Sequence, residues 1–352
     1  MSSEQGPILD VVAVPDFLGP RRHTFEAQSL FFLASWIECS ERTPGFPLHL
    51  ACIGKPPPSV EKLAERAGAQ VTVHAPLSTR ENRFLNKGRA LDVNAAAERF
   101  VLVDLDTLLL GDPWALARIA PAAISAAPEL FPALPTELWL HLYRGLGVEP
   151  PTERIASRIA ELDLPLKCER FDGEETLLES MLPLYNGGGV VSPWRLGLIR
   201  RWRETYDRIQ AIEHPNHPRW KLVCLSDQPA LAVTIDLFRR EGFGFERLPP
   251  GVNALWQDVH AEAVELDQVH LFHATAIFRH MPPGPVTREG LLRELARYRG
   301  RLWRRSRRAW TRERRLARAF QNTGRLLRAP AKVRWLDARL HHLYEQHVRP
   351  VV

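Results

Sequence analysis

The sequence is poor in cysteine and in long apolar runs, and both shortages narrow the classes of protein that it can encode. Its 352 residues include four widely separated cysteines and no Cys-x-x-Cys pair. A disulfide scaffold or a zinc knuckle needs closely spaced cysteines, so neither is expected. No apolar run reaches the roughly 18 residues of a membrane span. The first residues lack the basic and apolar regions of a signal peptide, so a cytoplasmic location is expected.

Charge is distributed unevenly along the chain. The net charge is +6, but residues 286–352 carry 19 Arg and Lys against 5 acids, which leaves the remainder acidic. Apolar side chains such as Leu295, Trp303 and Trp310 recur there at helical spacing, which predicts a basic amphipathic helix. Residues 286–348 can thus bind an anionic inner membrane surface or fold back onto the acidic remainder, and both interpretations stay open. Nucleic-acid binding is disfavoured because no recognition motif accompanies the charge.

Strand and helix patterns alternate through the first hundred residues. The predicted strands are 8–14, 48–53 and 70–74, and the predicted helices are 25–39, 59–68 and 81–99. This alternation is typical of a parallel sheet with crossover helices. We therefore predict an α/β fold with a Rossmann-like, mostly parallel central sheet.

Two acids follow a fourth predicted strand. The apolar residues 100–103 lead into Asp104-Leu105-Asp106, and such a run is typical of a buried parallel strand. Ligands of open α/β sheets lie beyond the carboxyl ends of the strands, so both carboxylates are expected to face a crevice. Carboxylate oxygens suit a hard cation such as Mg²⁺ or Mn²⁺.

Three further motifs follow in order. Asn186 precedes three glycines, which are expected to let a ligand approach the backbone closely. Asp227-Gln228 opens a predicted helix, and His273 lies on a predicted strand, with His270 as an alternative metal ligand. Each feature alone has a purely structural explanation, so the order of the set carries the functional prediction.

This ordered set resembles the motifs of glycosyltransferases with the GT-A fold, most closely the glycogenin-like and bacterial galactosyltransferase-like family, over about residues 8–281. The resemblance implies a Mn²⁺ or Mg²⁺ ion held by Asp104, Asp106 and His273. It also implies roles in the donor site for Asn186, Gly188, Asp227, Gln228 and Arg279. Arg279 takes the place of the family's diphosphate-binding lysine. Ala276 stands where the family has glycine.

The family also tends to have a basic residue before its Asp-x-Asp strand. Lys87 and Arg89 both fit that position, and the sequence does not choose between them. The implied reaction is a metal-dependent, retaining transfer of a hexose from a nucleotide diphosphate sugar, expected to be a UDP-sugar, to a hydroxyl of a glycan, lipid or protein. The metal and Arg279 are expected to stabilise the leaving diphosphate.

The same residues are compatible with two other functions. Asp104-Leu-Asp106 also resembles the first motif of haloacid-dehalogenase phosphatases, in which Asp104 would be the nucleophile and Asp106 a general acid. About a hundred residues precede the motif and no later pair of acids completes a magnesium site, which disfavours that phosphohydrolase. The other alternative is a non-catalytic nucleotide-sugar-binding protein.

The expected domain organisation follows from these predictions. The catalytic domain is expected to precede a basic helical tail. The expected boundaries are 1–283 for the catalytic domain, 1–113 for its nucleotide-binding half, 114–283 for its donor and acceptor half, and 284–352 for the tail.

Overall fold

The computed structural model describes most of the chain. The described residues are 8–39, 46–77, 83–111, 118, 123–129, 134–158, 180–215, 220, 227–248, 251–255, 258–259, 264–274, 278, 281, 284–297 and 334–352. Ala276, Arg279, Trp303 and Trp310 lie outside these ranges. The predicted role of Arg279 therefore stays a prediction.

Ten strands and five main helices build the described part of the chain. The strands are β1 Asp10–Ala13, β2 Leu48–Ile53, β3 Gln70–His74, β4 Arg99–Val103, β5 Thr107–Leu109, β6 Ile124–Ala126, β7 Gly189–Pro193, β8 Phe245–Arg247, β9 Ala254–Leu255 and β10 Leu271–His273. The helices are α1 Arg22–Cys39, α2 Pro58–Arg66, α3 Thr136–Gly145, α4 Leu198–Gln210 and α5 Gln228–Arg240.

The central sheet has seven strands in the order β3-β2-β1-β4-β7-β6-β8. Strands β3, β2, β1 and β4 run parallel, while β7 is antiparallel to both β4 and β6. Every residue of β1, β2 and β4 is buried, as expected for strands with helices on both faces. The predicted α/β class with a mostly parallel central sheet is confirmed.

A second, small sheet continues from the end of β4. Its order is β5-β10-β9, and β10 pairs with β5 so that His273 lies opposite Thr107. The chain leaves the central sheet at Val103 and enters the small sheet at Thr107. The residues between them, which include both predicted acids, therefore form the junction of the two sheets.

Two elements differ from the sequence prediction. Residues 81–99 were predicted to be one α-helix, but the described part is a 3₁₀-helix over Arg83–Asp92 and β4 already begins at Arg99. The helix α2 was expected to begin near Ser59, whereas Pro57 is the residue before its first turn. Ser59 instead donates a hydrogen bond from Oγ to Glu26 Oε1 at 3.0 Å, which ties α2 to α1.

The described ends of the predicted tail pack against helix α1 and the hydrophobic cluster around it. Residues 288–297 and 334–343 are helical, and the second segment continues into a π-helical turn over Tyr344–Val348. Their apolar side chains belong to the same hydrophobic cluster as α1: Leu291, Leu295, Leu336, Leu340, Leu343, Tyr344 and Val348. Glu38 of α1 binds His342 Nε2 through Oε1 at 2.7 Å. The fold-back interpretation therefore describes these two segments, and the domain boundary at 283 stays a prediction.

Within the part of the chain that the structure describes, no helix has both the length and the apolar character needed to cross a membrane.

Candidate active site

Two carboxylates and an imidazole meet where the two sheets join. Asp104 and Asp106 lie in the turn between β4 and β5, which is closed by a hydrogen bond from Thr107 N to Asp104 O at 3.1 Å. Because β10 pairs with β5, the His273 side chain lies beside this turn. One potential ligand atom from each residue lies within 4.8 Å of the others. The three predicted metal ligands are thus brought together, and His270 is not part of this group.

The chemistry of this donor set fits a divalent cation. His273 Nε2 lies 3.0 Å from Asp106 Oδ1 and 3.8 Å from Asp104 Oδ2. Burial opposes a charge on His273, but the carboxylates of Asp106 and Asp104 outweigh it and raise the pKa of the imidazole. Electron-rich atoms at these distances need a cation between them, either a proton or a metal ion. Two carboxylates and one imidazole are suitable ligands for Mn²⁺ or Mg²⁺.

Gly188 leaves the room that this group of ligands needs. A Cβ atom at this position would lie 2.5 Å from Asp104 Oδ2, 2.8 Å from His273 Cε1 and 3.0 Å from Asn186 Oδ1. The first two distances are shorter than any ordinary contact of a side-chain carbon. The glycine run was expected to let another group approach the backbone closely. At Gly188, the groups that do so include the candidate metal ligands Asp104 and His273.

A chain of hydrogen-bonded side chains leads away from His273. Its Nδ1 lies 3.0 Å from Asn253 Oδ1, and Asn253 Nδ2 donates to Asn186 Oδ1 at 3.3 Å. Asn186 Nδ2 then donates to Glu129 Oε2 at 3.1 Å, and Gln228 Nε2 donates to the same oxygen. The predicted donor-sugar residues Asn186 and Gln228 are thus connected to each other and to the candidate metal ligands.

Lys87 bridges two acids in the same site. Its Nζ lies 2.9 Å from Asp104 Oδ1 and 2.8 Å from Asp227 Oδ2, and it donates to Gly187 O at 3.3 Å. Burial favours the neutral amine, but the two carboxylates outweigh it and raise the pKa of Lys87. Trp202 Nε1 donates to Asp227 O at 2.8 Å. The ammonium is therefore held charged between the candidate metal ligands and the start of α5.

The structure chooses between the two basic candidates. Arg89 points away from the acids, with Nε donating to Ala75 O at 2.9 Å and Nη1 to Asp92 Oδ2 at 2.8 Å. Lys87 is therefore the basic side chain that contacts a candidate metal ligand, and the cofactor-binding role predicted for either residue stays a prediction.

Sequence reasoning missed Asn253 and Glu129. Asn253 is 1% exposed and has a φ of 59°, a left-handed conformation that asparagine tolerates better than most residues. Neither residue belongs to a recognisable motif, and the stretches around them were not assigned to regular elements. A lone acid or amide outside regular structure gives no sequence signal, so only the tertiary contacts identify these two.

The chain matches the sequence profile of the Rhodobacterales glycosyltransferase domain over residues 21–239. This match spans more than half of the 352 residues, so the chain belongs to this glycosyltransferase family. No curated protein matches the sequence. The predicted class, a nucleotide-sugar glycosyltransferase with the GT-A fold, is confirmed by the family and the mixed, mostly parallel sheet. The phosphohydrolase alternative is wrong.

Several solved structures have a distantly similar chain path. The galactosyltransferase LgtC in complex with donor and acceptor sugar analogues is 13% identical, with a TM-score of 0.43 over 83% of this chain and 96% of that one. The apo form of mouse xyloside xylosyltransferase 1 is 14% identical, with a TM-score of 0.40 over 76% and 98%. The glycosyltransferase GlyE of Streptococcus pneumoniae TIGR4 is 12% identical, with a TM-score of 0.42 over 85% and 60%.

Proposed function

We propose that the protein transfers a sugar from a nucleotide diphosphate sugar, a UDP-sugar, to an acceptor hydroxyl with the help of Mn²⁺ or Mg²⁺. The observation that carries this proposal is the convergence of Asp104, Asp106 and His273 within 4.8 Å at the junction of the two sheets. The acceptor is a hydroxyl of a glycan, lipid or protein. The non-catalytic alternative predicts the same binding without turnover.

The three converging side chains would hold the cation. When bound, the ion supplies positive charge that stabilises the diphosphate as it leaves. Gly188 keeps the space beside Asp104 open, because any larger residue would meet its carboxylate. His273 is 4% exposed, and this burial would shield the interaction of its imidazole with a bound ion from water. Arg279 would add a second positive charge at the diphosphate.

The donor sugar would lie beside the chain of amides and acids. Asn186, Asp227 and Gln228 carry hydrogen-bonding groups at one place, and Glu129 and Lys87 hold them in position. Amide and carboxylate groups in fixed positions can recognise sugar hydroxyls and orient the anomeric carbon. We propose retention of the anomeric configuration, which NMR analysis of the anomeric coupling in the first product measures directly.

The first experiment measures Mn²⁺ binding and nucleoside diphosphate release over a panel of UDP- and GDP-sugars. Wild-type protein should turn over at least one donor, and the chelator EDTA should stop the reaction. Asp106→Asn should lower turnover by more than about 100-fold, because it removes a ligand that stabilises developing charge. The matched control Asp207→Asn lies on the exposed face of α4 and should behave as wild type. Turnover by Asp106→Asn equal to that of wild type refutes the assignment, and a panel without binding or turnover refutes the function.

We further propose that the basic segment 298–333 contacts an anionic membrane at its cytoplasmic face. It contains 13 basic residues and one acid, and the helical segments on either side of it are fixed to the catalytic domain. Each cation near such a surface contributes about 1 kcal/mol. Intact protein should sediment with vesicles containing phosphatidylglycerol and not with phosphatidylcholine alone. Replacement of Arg304, Arg305, Arg307 and Arg308 with glutamine should abolish sedimentation. If the wild-type protein does not sediment with these vesicles, the proposed membrane contact is refuted.

A further inference from the structure

The hydrogen bonds around Asn186 determine which way each amide in the site faces. The backbone N–H of Gly188 can only donate, and it lies 2.8 Å from one terminal atom of the Asn186 side chain. That atom must therefore be the oxygen, Oδ1. The other end of the same amide is then Nδ2, which lies 3.1 Å from the carboxylate of Glu129, a group that accepts when ionised. The contacts with Gly188 and Glu129 therefore require the same orientation of the Asn186 amide.

The orientation of Asn253 follows from that of Asn186. Since Asn186 Oδ1 accepts hydrogen bonds, the atom of Asn253 that lies 3.3 Å from it must be the donor Nδ2. The Oδ1 atom of Asn253 then faces His273 Nδ1 at 3.0 Å. A carbonyl oxygen can only accept, so the hydrogen of the His273 ring lies on Nδ1. Nε2 is the ring nitrogen left to face Asp106 Oδ1 at 3.0 Å, where a proton or a metal ion must lie between the two electron-rich atoms.

The backbone of Asn253 is held where this contact requires it. Arg158 Nη2 donates to Asn253 O at 3.3 Å, and its guanidinium pairs with Asp258 at 2.6 Å. Asp258 Oδ2 also accepts from Leu255 N at 2.6 Å. This ion pair is buried, with exposed side-chain fractions of 6% and 4%, so it fixes both ends of the segment that carries Asn253.

We infer that Asn253 is a positioning residue that fixes the ring orientation of His273 by accepting the hydrogen of Nδ1, so that Nε2 is presented to the divalent cation. The inference rests on the proposed function, because it assigns a support to the proposed metal site. The Asn253 side chain thus contacts both the predicted donor-sugar residue Asn186 and the candidate metal ligand His273. Partners of this kind around metal ligands change metal affinity by about 10- to 100-fold when they are removed.

Two substitutions at one position separate positioning from packing. Asn253→Gly removes the acceptor and is compatible with the φ of 59°, since glycine adopts this conformation without strain. Asn253→Asp keeps an oxygen opposite His273 Nδ1 and nearly the same volume, but loses the donor to Asn186. Mn²⁺ affinity, measured by electron paramagnetic resonance, should fall about 10- to 100-fold in Asn253→Gly and should not fall in Asn253→Asp.

A second readout needs no metal. Nitrogen-15 NMR of histidine-labelled, metal-free protein, with the signal assigned by its loss in His273→Gln, should show an Nδ1–H hydrogen that exchanges slowly with water in wild type and in Asn253→Asp, because an oxygen accepts it. Asn253→Gly should lose this slow exchange, because its acceptor is gone. A merely structural role would lower the midpoint of thermal unfolding and leave the Nδ1–H signal and the Mn²⁺ affinity unchanged.

The outcomes separate this inference from the proposed function. Unchanged Mn²⁺ affinity and an unchanged Nδ1–H signal in Asn253→Gly overturn the inference, as does an equal loss of affinity in both variants. If wild type binds Mn²⁺ no better than Asp106→Asn does, the proposed function fails. The Nδ1–H measurement still decides the role of Asn253 in that case.

Discussion

Replacing Gly188 with alanine tests the geometry of the site with a single methyl group. The new Cβ would lie 2.5 Å from Asp104 Oδ2 and 2.8 Å from His273 Cε1. Ordinary contacts between such atoms are about 3.4 Å or longer, so the two candidate metal ligands must each move by roughly 0.6–0.9 Å. Gly188 does not have a positive φ, so the substitution adds the methyl group without straining the backbone.

The expected effect on function is larger than the effect on stability. Overpacking of this kind costs about 1–3 kcal/mol of unfolding free energy. A displacement of about 1 Å in a catalytic group costs about 100-fold in rate. We therefore expect Gly188→Ala to fold, to bind Mn²⁺ at least about 10-fold more weakly and to lose about 100-fold in kcat.

The assay compares Gly188→Ala with Gly244→Ala in Mn²⁺ titrations and in nucleoside diphosphate release. A Cβ at Gly244 would meet its nearest neighbour at 3.7 Å, an ordinary contact, so this control should match wild type. Wild-type Mn²⁺ affinity and turnover in Gly188→Ala would show that Asp104 and His273 do not act together on one ion.

Two further predictions concern charged side chains with close partners. Lys87→Met should destabilise the protein by about 1–3 kcal/mol in thermal unfolding, because it leaves Asp104 and Asp227 without their shared cation. Lys87→Arg keeps the positive charge and should recover most of this stability. An equal loss of stability in both variants would contradict the charge argument. Asp10 accepts hydrogen bonds from His49 Nε2 at 2.9 Å and Trp194 Nε1 at 2.8 Å; burial opposes its charge, but these donors lower its pKa below the ordinary 3.8. A lowered pKa in the folded state stabilises the protein fully above 3.8 and less as the pH falls through the folded-state value. Asp10→Asn should therefore cost about 1–3 kcal/mol in urea unfolding at neutral pH and progressively less in acid, whereas a cost independent of pH would refute the assignment.

Local pattern was enough to predict much of the fold. The strand Leu48–Ile53 was predicted with its observed bounds because a strand buried on both faces is a short, mainly apolar run, here with His49 as the one polar residue. The run of apolar residues before Asp104 predicted β4 and the position of the acids at its carboxyl end. The 3₁₀-helix Arg83–Asp92 was predicted as α-helix. Tertiary contacts, and not the local sequence, decide whether such a segment forms the i→i+3 hydrogen bonds of a 3₁₀-helix or those of an α-helix.

The candidate site divides in the same way. Asp104, Asp106, Asn186, Asp227, Gln228 and His273 were found because their types and order form a set that resembles a known family. Lys87 and Arg89 are two residues apart and equally basic, so no sequence rule separates them. Only the packing of the 3₁₀-helix places Lys87 Nζ at 2.9 Å from Asp104 and turns Arg89 toward Ala75.

The sequence by itself determined the class of protein, the order of its strands along the chain and the residue types available for binding a cation and a sugar. The tertiary structure decided which of these residues meet, because β10 returns to β5 across more than 150 residues of intervening chain. It also decided that Asn253, with no motif of its own, faces His273 Nδ1. Hydrogen-bond direction depends on distances of about 3 Å between groups remote in sequence, and no local pattern encodes such a distance.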